Sequence, residues 1–313
     1  EDMPTDMQDN RVTNLSTNDQ VMPAKVLVQD FNYRKAALEE TFKSENDVDP
    51  RGVGTAMFCG YNLREVQEAE RMSTLRKQEL LCGQAHIVAE TTAIDVSSAS
   101  AVTLKQHFQS ALNKDYLVTS ATHTGRQAYA WFEASALPSE QGIENGTYYR
   151  CAFKGIDHQL QFRAPRKTKW PFIAGTLNGV IDDEGEGKYA QLNDYGQYKV
   201  QFLFDKTPKN TNRGSSWMRM ASAYAGQGHG MAFPLLKGTE VVIGFMSGDP
   251  DQPVILGAVF NSENPNVLNA SNAHFGGFQT DSGNYLVTND TRGQEGVHMW
   301  SPGSNTHFYI GKF

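Results

Sequence analysis

The stretch from residue 172 to 260 constrains the fold most, because short runs of alternating apolar and polar residues are broken there by strong turn chemistry. In Tyr198-Lys199-Val200-Gln201-Phe202-Leu203-Phe204, period-two spacing puts Tyr198, Val200, Phe202 and Phe204 on one face, with Lys199 and Gln201 on the other. Trp217–Ala221, Glu240–Phe245 and Val254–Phe260 read as further strands. Between the last two, Ser247-Gly248-Asp249-Pro250-Asp251-Gln252-Pro253 is built for a tight turn. Adding Phe172–Ile181 gives about five strands, the number that closes a small barrel of the OB type.

The flanks read differently. Residues 1–24 are polar and without periodicity, and are expected to be a loop-like lead-in. Lys25–Phe31 is strand-like. From Tyr61 to Leu81, Leu63, Val66, Ala69, Met72 and Leu75 recur at a spacing that predicts a helix, with Glu68 placed to pair Arg71 and Gly83 as a stop signal. Strands are then expected at Ala85–Glu90, Ala101–Phe108, Tyr116–Thr122, Ala128–Ala134 and Tyr148–Phe153. Residues 163–171, basic and bounded by proline, are expected to be a solvated linker between domains. Beyond 261, short strands at Asn284–Thr288, Gly296–Trp300 and His307–Ile310 are too small to bury a core unaided.

A chain of 313 residues accommodates about two domains. Its net charge of -7 weighs against a nucleic-acid binder. Cys59, Cys82 and Cys151 match no zinc or redox spacing and are expected to be reduced thiols. No apolar run approaches the roughly 20 residues that span a bilayer, and the acidic, polar first residues are not expected to act as a secretory signal.

Candidate chemistry is sparse. His86, His107, His123, His158, His229, His274, His298 and His307 are scattered, with no pair at helical metal-site spacing. His229, in Gly-Gln-Gly-His-Gly, could serve as ligand or base, and is expected to be a turn histidine. Asp182-Asp183-Glu184-Gly185-Glu186 offers oxygen ligands without the alternate spacing of a calcium loop, and reads as an acidic surface turn. Asp249 and Asp251 could form a carboxylate pair, but flank Pro250 in a turn where Asp249 is better placed to cap backbone. Ser215 and Ser216 lack an identifiable base, and neither a nucleophile elbow nor a phosphate-binding loop occurs. Tyr195, Tyr198, Trp217 and Tyr224 could stack bases or sugars, with Tyr198 and Trp217 alternatively serving as barrel core. No catalytic, cofactor or metal residues are therefore assigned.

The segment 194–261 resembles the OB-fold part of the VgrG spike proteins of type VI secretion systems, a family related to phage tail hubs and spikes. The likeness rests on Asp194-Tyr195-Gly196-Gln197-Tyr198-Lys199-Val200, Ser216-Trp217-Met218-Arg219-Met220-Ala221, Ala225-Gly226-Gln227-Gly228-His229-Gly230, Phe233-Pro234 and Gly248-Asp249-Pro250-Asp251-Gln252-Pro253-Val254-Ile255-Leu256-Gly257. Upstream, Asp30-Phe31-Asn32-Tyr33-Arg34, Cys59-Gly60-Tyr61 and Tyr116–His123 are similar to the family's hub region. Departures occur at Gln197 and at Leu235-Leu236-Lys237, where the family usually carries arginine. An earlier hub segment and the long needle repeats are expected to be missing from this stretch.

The resemblance implies a mainly β protein with a mixed α/β hub region, an OB-fold barrel and the start of an intertwined trimeric β-prism. The expected boundaries are a lead-in at 1–24, part of a phage-tail-hub-like domain at 25–162, a linker at 163–171, the OB fold at 172–260 and the prism start at 261–313. It further implies a non-enzymatic homotrimer that caps a tube of Hcp hexamers and carries a PAAR-type tip and effectors, alongside baseplate components. Such a protein has no cofactor, nucleic-acid partner or stable membrane anchor. It is made in the bacterial cytoplasm and exported by the contractile machine. The alternatives are the hub-spike of a contractile phage tail or extracellular injection particle, and an OB-fold binder of nucleic acid or glycan.

Overall fold

A computed structural model describes residues 10–36, 42–126 and 148–311. The chain divides into two compact units, Glu1–Trp170 and Pro171–Phe313. The strand expected at Ala128–Ala134 lies outside the described residues.

In the first unit, β1 (Val12–Asp19), β2 (Lys25–Asp30), β3 (Phe42–Asp47) and β4 (Thr55–Phe58) precede α1 (Val66–Gln84). The strands β5 (Ala85–Thr91), β6 (Ala101–Thr103), β7 (Asp115–Arg126) and β8 (Tyr148–Asp157) follow. One antiparallel sheet has the order β1-β5-β8-β7-β6, and a second has the order β3-β2-β4. The reading of 1–24 as loop fails at β1, which pairs with β5 along Val12↔Thr91 to Asp19↔Ala85. Its residues are nearly all exposed, so a neighbour's backbone, not an apolar pattern, makes it a strand. The first sheet buries Ile87, Ala89, Tyr116, Val118, Cys151 and Phe153 on one face.

The helix begins five residues later than its sequence spacing predicts and continues through Gly83. Asn62 takes a left-handed φ of 55°, which asparagine tolerates. The Leu63 N–H is held by Asp30 Oδ2 at 2.9 Å, so Tyr61–Glu65 is drawn toward β2 and away from helical geometry. Glu68 does not pair Arg71; its Oε2 accepts the Arg64 N–H at 2.7 Å, just ahead of the helix. The buried stripe is Ala69, Ser73 and Arg76, whereas Val66 is exposed. That stripe follows the 3.6-residue helical period. Ser73, fully buried, bonds Ser44 Oγ at 2.8 Å and accepts Asn46 Nδ2 at 2.7 Å, joining α1 to β3. Arg76 lies over the rings of Phe58 and Tyr61, 5.0 and 5.5 Å from their centroids, and donates to Glu79.

The second unit opens with β9 (Leu177–Asp182), β10 (Lys199–Phe202), β11 (Arg219–Met220), β12 (Ala225–Gly226), β13 (His229–Gly230), β14 (Glu240–Phe245) and β15 (Pro253–Ala258). The barrel sheet runs β10-β9-β14-β15-β11. Tyr198 and Met218 exchange both backbone N–H···O bonds, at 2.9 and 2.8 Å, so the two edges meet and the sheet closes. Its interior is Ile181, Tyr198, Val200, Met218, Val241, Ile243 and Ile255. At Gly179 a Cβ would lie 2.6 Å from Val200 Cγ1, so the interior needs glycine there.

Two expectations on β10 are corrected. Phe204 falls beyond the strand and is exposed, stacked 5.3 Å from Phe202. Gln201, expected on the polar face, is buried, with its amide donating to the Thr207 carbonyl at 2.6 Å. The long 203–216 connection folds back over that side of the strand and supplies the partner.

The chain ends in a four-stranded antiparallel meander of β16 (Phe275–Gln279), β17 (Tyr285–Asn289), β18 (Gly296–Ser301) and β19 (Thr306–Gly311). Three of these strands match the expected segments. β16 has no sequence expectation, because Gly276-Gly277 carries little strand signal.

Candidate functional site

The residues singled out by their chemistry hold structure together. His229 sits on the exposed β12–β13 hairpin, its Nδ1 3.0 Å from the Gln227 carbonyl and its ring 5.1 Å from that of Tyr224. Asp249 and Asp251 do not form a carboxylate pair. Asp249 Oδ1 accepts the Asp251 N–H at 2.9 Å, and Oδ2 accepts the Gln252 amide at 3.2 Å, which closes the β14–β15 turn. Asp182 and Asp183 are buried, not on a surface turn. Asp183 accepts the backbone N–H groups of Glu184 and Gln191, and Asp182 that of Gly214, pinning the loops around β9. Ser215 Oγ accepts the Val200 N–H and donates to the Ser216 carbonyl, bridging β10 to the next segment.

The aromatics divide. Tyr198 is barrel core, with its hydroxyl accepting the Leu235 N–H at 3.0 Å. Trp217 is half-buried beneath Lys199, whose ammonium lies 5.2 Å from the ring centroid. Tyr195 and Tyr224 are exposed, on separate loops. The three cysteines carry no disulfide, and burial pushes the Cys151 thiol pKa up. Among the described residues, no group of three or more His, Cys, Asp or Glu is placed to hold a metal.

The first half of the basic connector is not a free solvated linker. Arg163 Nε donates to Gln78 Oε1 at 2.8 Å, and its backbone N–H points at Cys82 Sγ at 3.3 Å. The Arg166 N–H is accepted by Glu79 Oε1 at 2.8 Å, while its guanidinium lies 5.7 Å from the Tyr61 ring centroid. Residues 163–166 are thus strapped along the C-terminal half of α1.

The surface that calls for an explanation is the C-terminal sheet. After Ile255 no described residue is buried. Register sorts the side chains, because residues directly opposite in antiparallel strands share a face. One face carries the rows Phe278–Leu286–Met299–Phe308 and Gly276–Thr288–Val297–Ile310. On this face Met299, Phe308 and Ile310 are 48%, 57% and 57% exposed. Phe233 reaches it from the preceding loop, its ring 5.3 Å from that of Phe278. The opposite face carries Tyr285, Trp300, His307, His298 and Tyr309. Over that face residues 267–272 arch to enclose a concavity of about 390 Å³. Lys188 pairs with Asp281 to tie the sheet's first turn to the barrel segment. A sheet with an apolar row on one side and no buried residue has half of its core still to be supplied.

Comparison with known proteins agrees with this architecture. Residues 2–129 match the family described as phage tail baseplate hub, and residues 190–260 match the type VI secretion system/phage-baseplate injector OB domain. The spike protein VgrG5 of Pseudomonas aeruginosa is 32% identical over 210 residues, covering 63% of this chain and 26% of the relative. The spike protein VgrG3 of Vibrio cholerae is 34% identical over 163 residues, covering 51% of this chain and 15% of the relative. Over these stretches the chain resembles the VgrG spike proteins. It spans about a quarter or less of the length of these two relatives. Among solved structures, the E. coli c3393 protein, a component of the type VI secretion system, aligns with a TM-score of 0.40 at 22% identity. That alignment covers 59% of this chain and 41% of c3393. The two family matches fall on the mainly β first unit and on the closed barrel.

Proposed function

We propose that the chain is a hub-and-spike segment at the tip of a contractile injection machine of the type VI secretion class, working as a homotrimer. The observation that carries this reading is the C-terminal sheet, whose apolar row is left uncovered within one chain. Three copies packed about an axis would cover those rows together and remove the free strand edges. The family likeness supplies the class of machine. On this reading the trimer caps a tube of Hcp hexamers, carries a PAAR-type tip and effectors, and contacts baseplate components. Its work is mechanical rather than catalytic. It is made in the bacterial cytoplasm and exported by the machine. Among the described residues no helix is long and apolar enough to cross a membrane.

The test is absolute mass by light scattering over a range of concentrations, followed by mixing with Hcp hexamers. A trimer that persists on dilution and co-elutes with Hcp supports the proposal. A monomer at every concentration overturns the trimeric reading. The hub match is described for phage baseplates, which supports a second reading as the hub-spike of a contractile phage tail. A trimer that ignores Hcp but binds the terminal ring of a phage tail tube would establish that reading instead.

A further inference from the structure

On the aromatic face of the C-terminal sheet, five polar side chains form one directional hydrogen-bond relay. Trp300 Nε1 can only donate, and it points at Asn305 Oδ1 at 3.3 Å, which fixes that atom as the amide oxygen. His307 Nε2 lies 3.1 Å from the same oxygen and must therefore carry a hydrogen. In a neutral imidazole the other nitrogen is then an acceptor, so His307 Nδ1 receives a bond from His298 Nε2 at 2.9 Å. By the same logic His298 Nδ1 accepts the Tyr285 hydroxyl at 3.0 Å. The relay links β17, β18, β19 and the 302–305 turn, whose last residue, Asn305, holds a left-handed φ of 48°.

The direction of the relay limits its proton capacity. One added proton is accommodated on His298 Nδ1, because the Tyr285 hydroxyl can rotate from donor to acceptor and every bond survives. A second has only His307 Nδ1 to occupy, where it meets the N–H of His298 head on. Among the described residues, no charged group on this face offsets the added charge. The rows hold Phe275, Asn289 and Gly296; Val287, His298 and Tyr309; and Gln279, Tyr285, Trp300 and His307. The arching segment adds Val267, Leu268 and Asn272. Tyr309 meets His298 edge-on at 5.8 Å. The nearby charges are engaged elsewhere: Asp281 with Lys188, and Glu295 with the Gly293 N–H. His274 lies against Phe275 at the opposite end of the sheet, the two rings tilted by 51°. We propose that Tyr285, His298, His307 and Asn305 form a one-proton clasp that holds the C-terminal sheet at neutral pH and opens when both imidazoles become charged.

The experiment is a pH titration of the 313-residue chain labelled with 13C at histidine Cε1, with His298→Gln and His307→Gln to assign the two resonances. The clasp predicts that the two rings take up protons as a coupled pair, each uptake being felt by both resonances. It also predicts that the drop in thermal midpoint between about pH 7.5 and about pH 5 is smaller in either glutamine variant than in the parent chain. Tyr285→Phe removes the group that bonds His298 Nδ1 in either protonation state, so the first step shifts while the neutral-pH fold is kept. Coincident titration of both rings as independent imidazoles, or a first step unmoved in Tyr285→Phe, overturns the proposal.

Discussion

Asp49 fastens two elements with one carboxylate. Its Oδ1 accepts the Arg51 N–H at 2.9 Å, and its Oδ2 receives the Gln84 amide from the last residue of α1. The Arg51 backbone N–H, then its guanidinium, hold the Asp49 carboxyl below the usual carboxylate value against an opposing burial penalty. A carboxyl depressed in the folded state stabilises the fold fully above its unfolded value of about 3.9, and that contribution is lost as pH falls through the lower folded value. Asp49→Asn is therefore expected to lower the thermal midpoint at pH 7 and to approach the parent chain in acid. Thermal scans across that range check this; a gap between the two proteins that stays constant down to about pH 2 would contradict it. Nothing in the sequence near Asp49 announces the role, because its second partner is 35 residues away.

At the scale of elements, legibility tracks how much of an element's stability is local. The barrel strands could be read because period-two alternation and turn residues are written into each segment, and β14 matches its expected limits of Glu240 to Phe245. The helix was legible in kind but not in face. The three-residue apolar spacing from Leu63 to Leu75 drifts around a 3.6-residue helix and so names no single face, whereas burial chose Ala69, Ser73 and Arg76. Ser73 faces the sheet because Ser44 and Asn46 on β3 offer it hydrogen bonds, beside the apolar cluster that Ala69 joins with Val26, Val28 and Phe42. The edge strand β1 was illegible because its pairing is dictated by β5. The helix–sheet seam is testable through Ser73→Ala, which leaves Asn46 Nδ2 without its acceptor and removes the link to Ser44 in a solvent-excluded position. An expected loss of about 1–3 kcal/mol should appear as a lower urea midpoint at unchanged slope. A neutral substitution would mean the seam is held by the apolar packing around Ala69 and Met72.

At the scale of the whole molecule, the candidate site was half visible. The sequence marked the C-terminal strands as too short to bury a core, but which side chains share a face depends on register, and register follows from pairings that no single strand encodes. That register collects Phe278, Leu286, Met299 and Phe308 into one row across all four strands. If copies of the chain cover this row, then stability and assembly are one equilibrium, and the thermal midpoint rises with protein concentration. Met299→Glu and Phe308→Glu each place a carboxylate where an apolar neighbour is expected, and the cost of burying it unpaired should shift the chain from trimer toward monomer. Both positions are exposed in the single chain, so a monomeric variant should keep its barrel and hub units. Sedimentation velocity with far-ultraviolet circular dichroism separates the cases. Lost trimer with retained β signal supports assembly through this row. An undisturbed trimer in both variants would place the interface elsewhere and leave the apolar row as a docking face for a different protein.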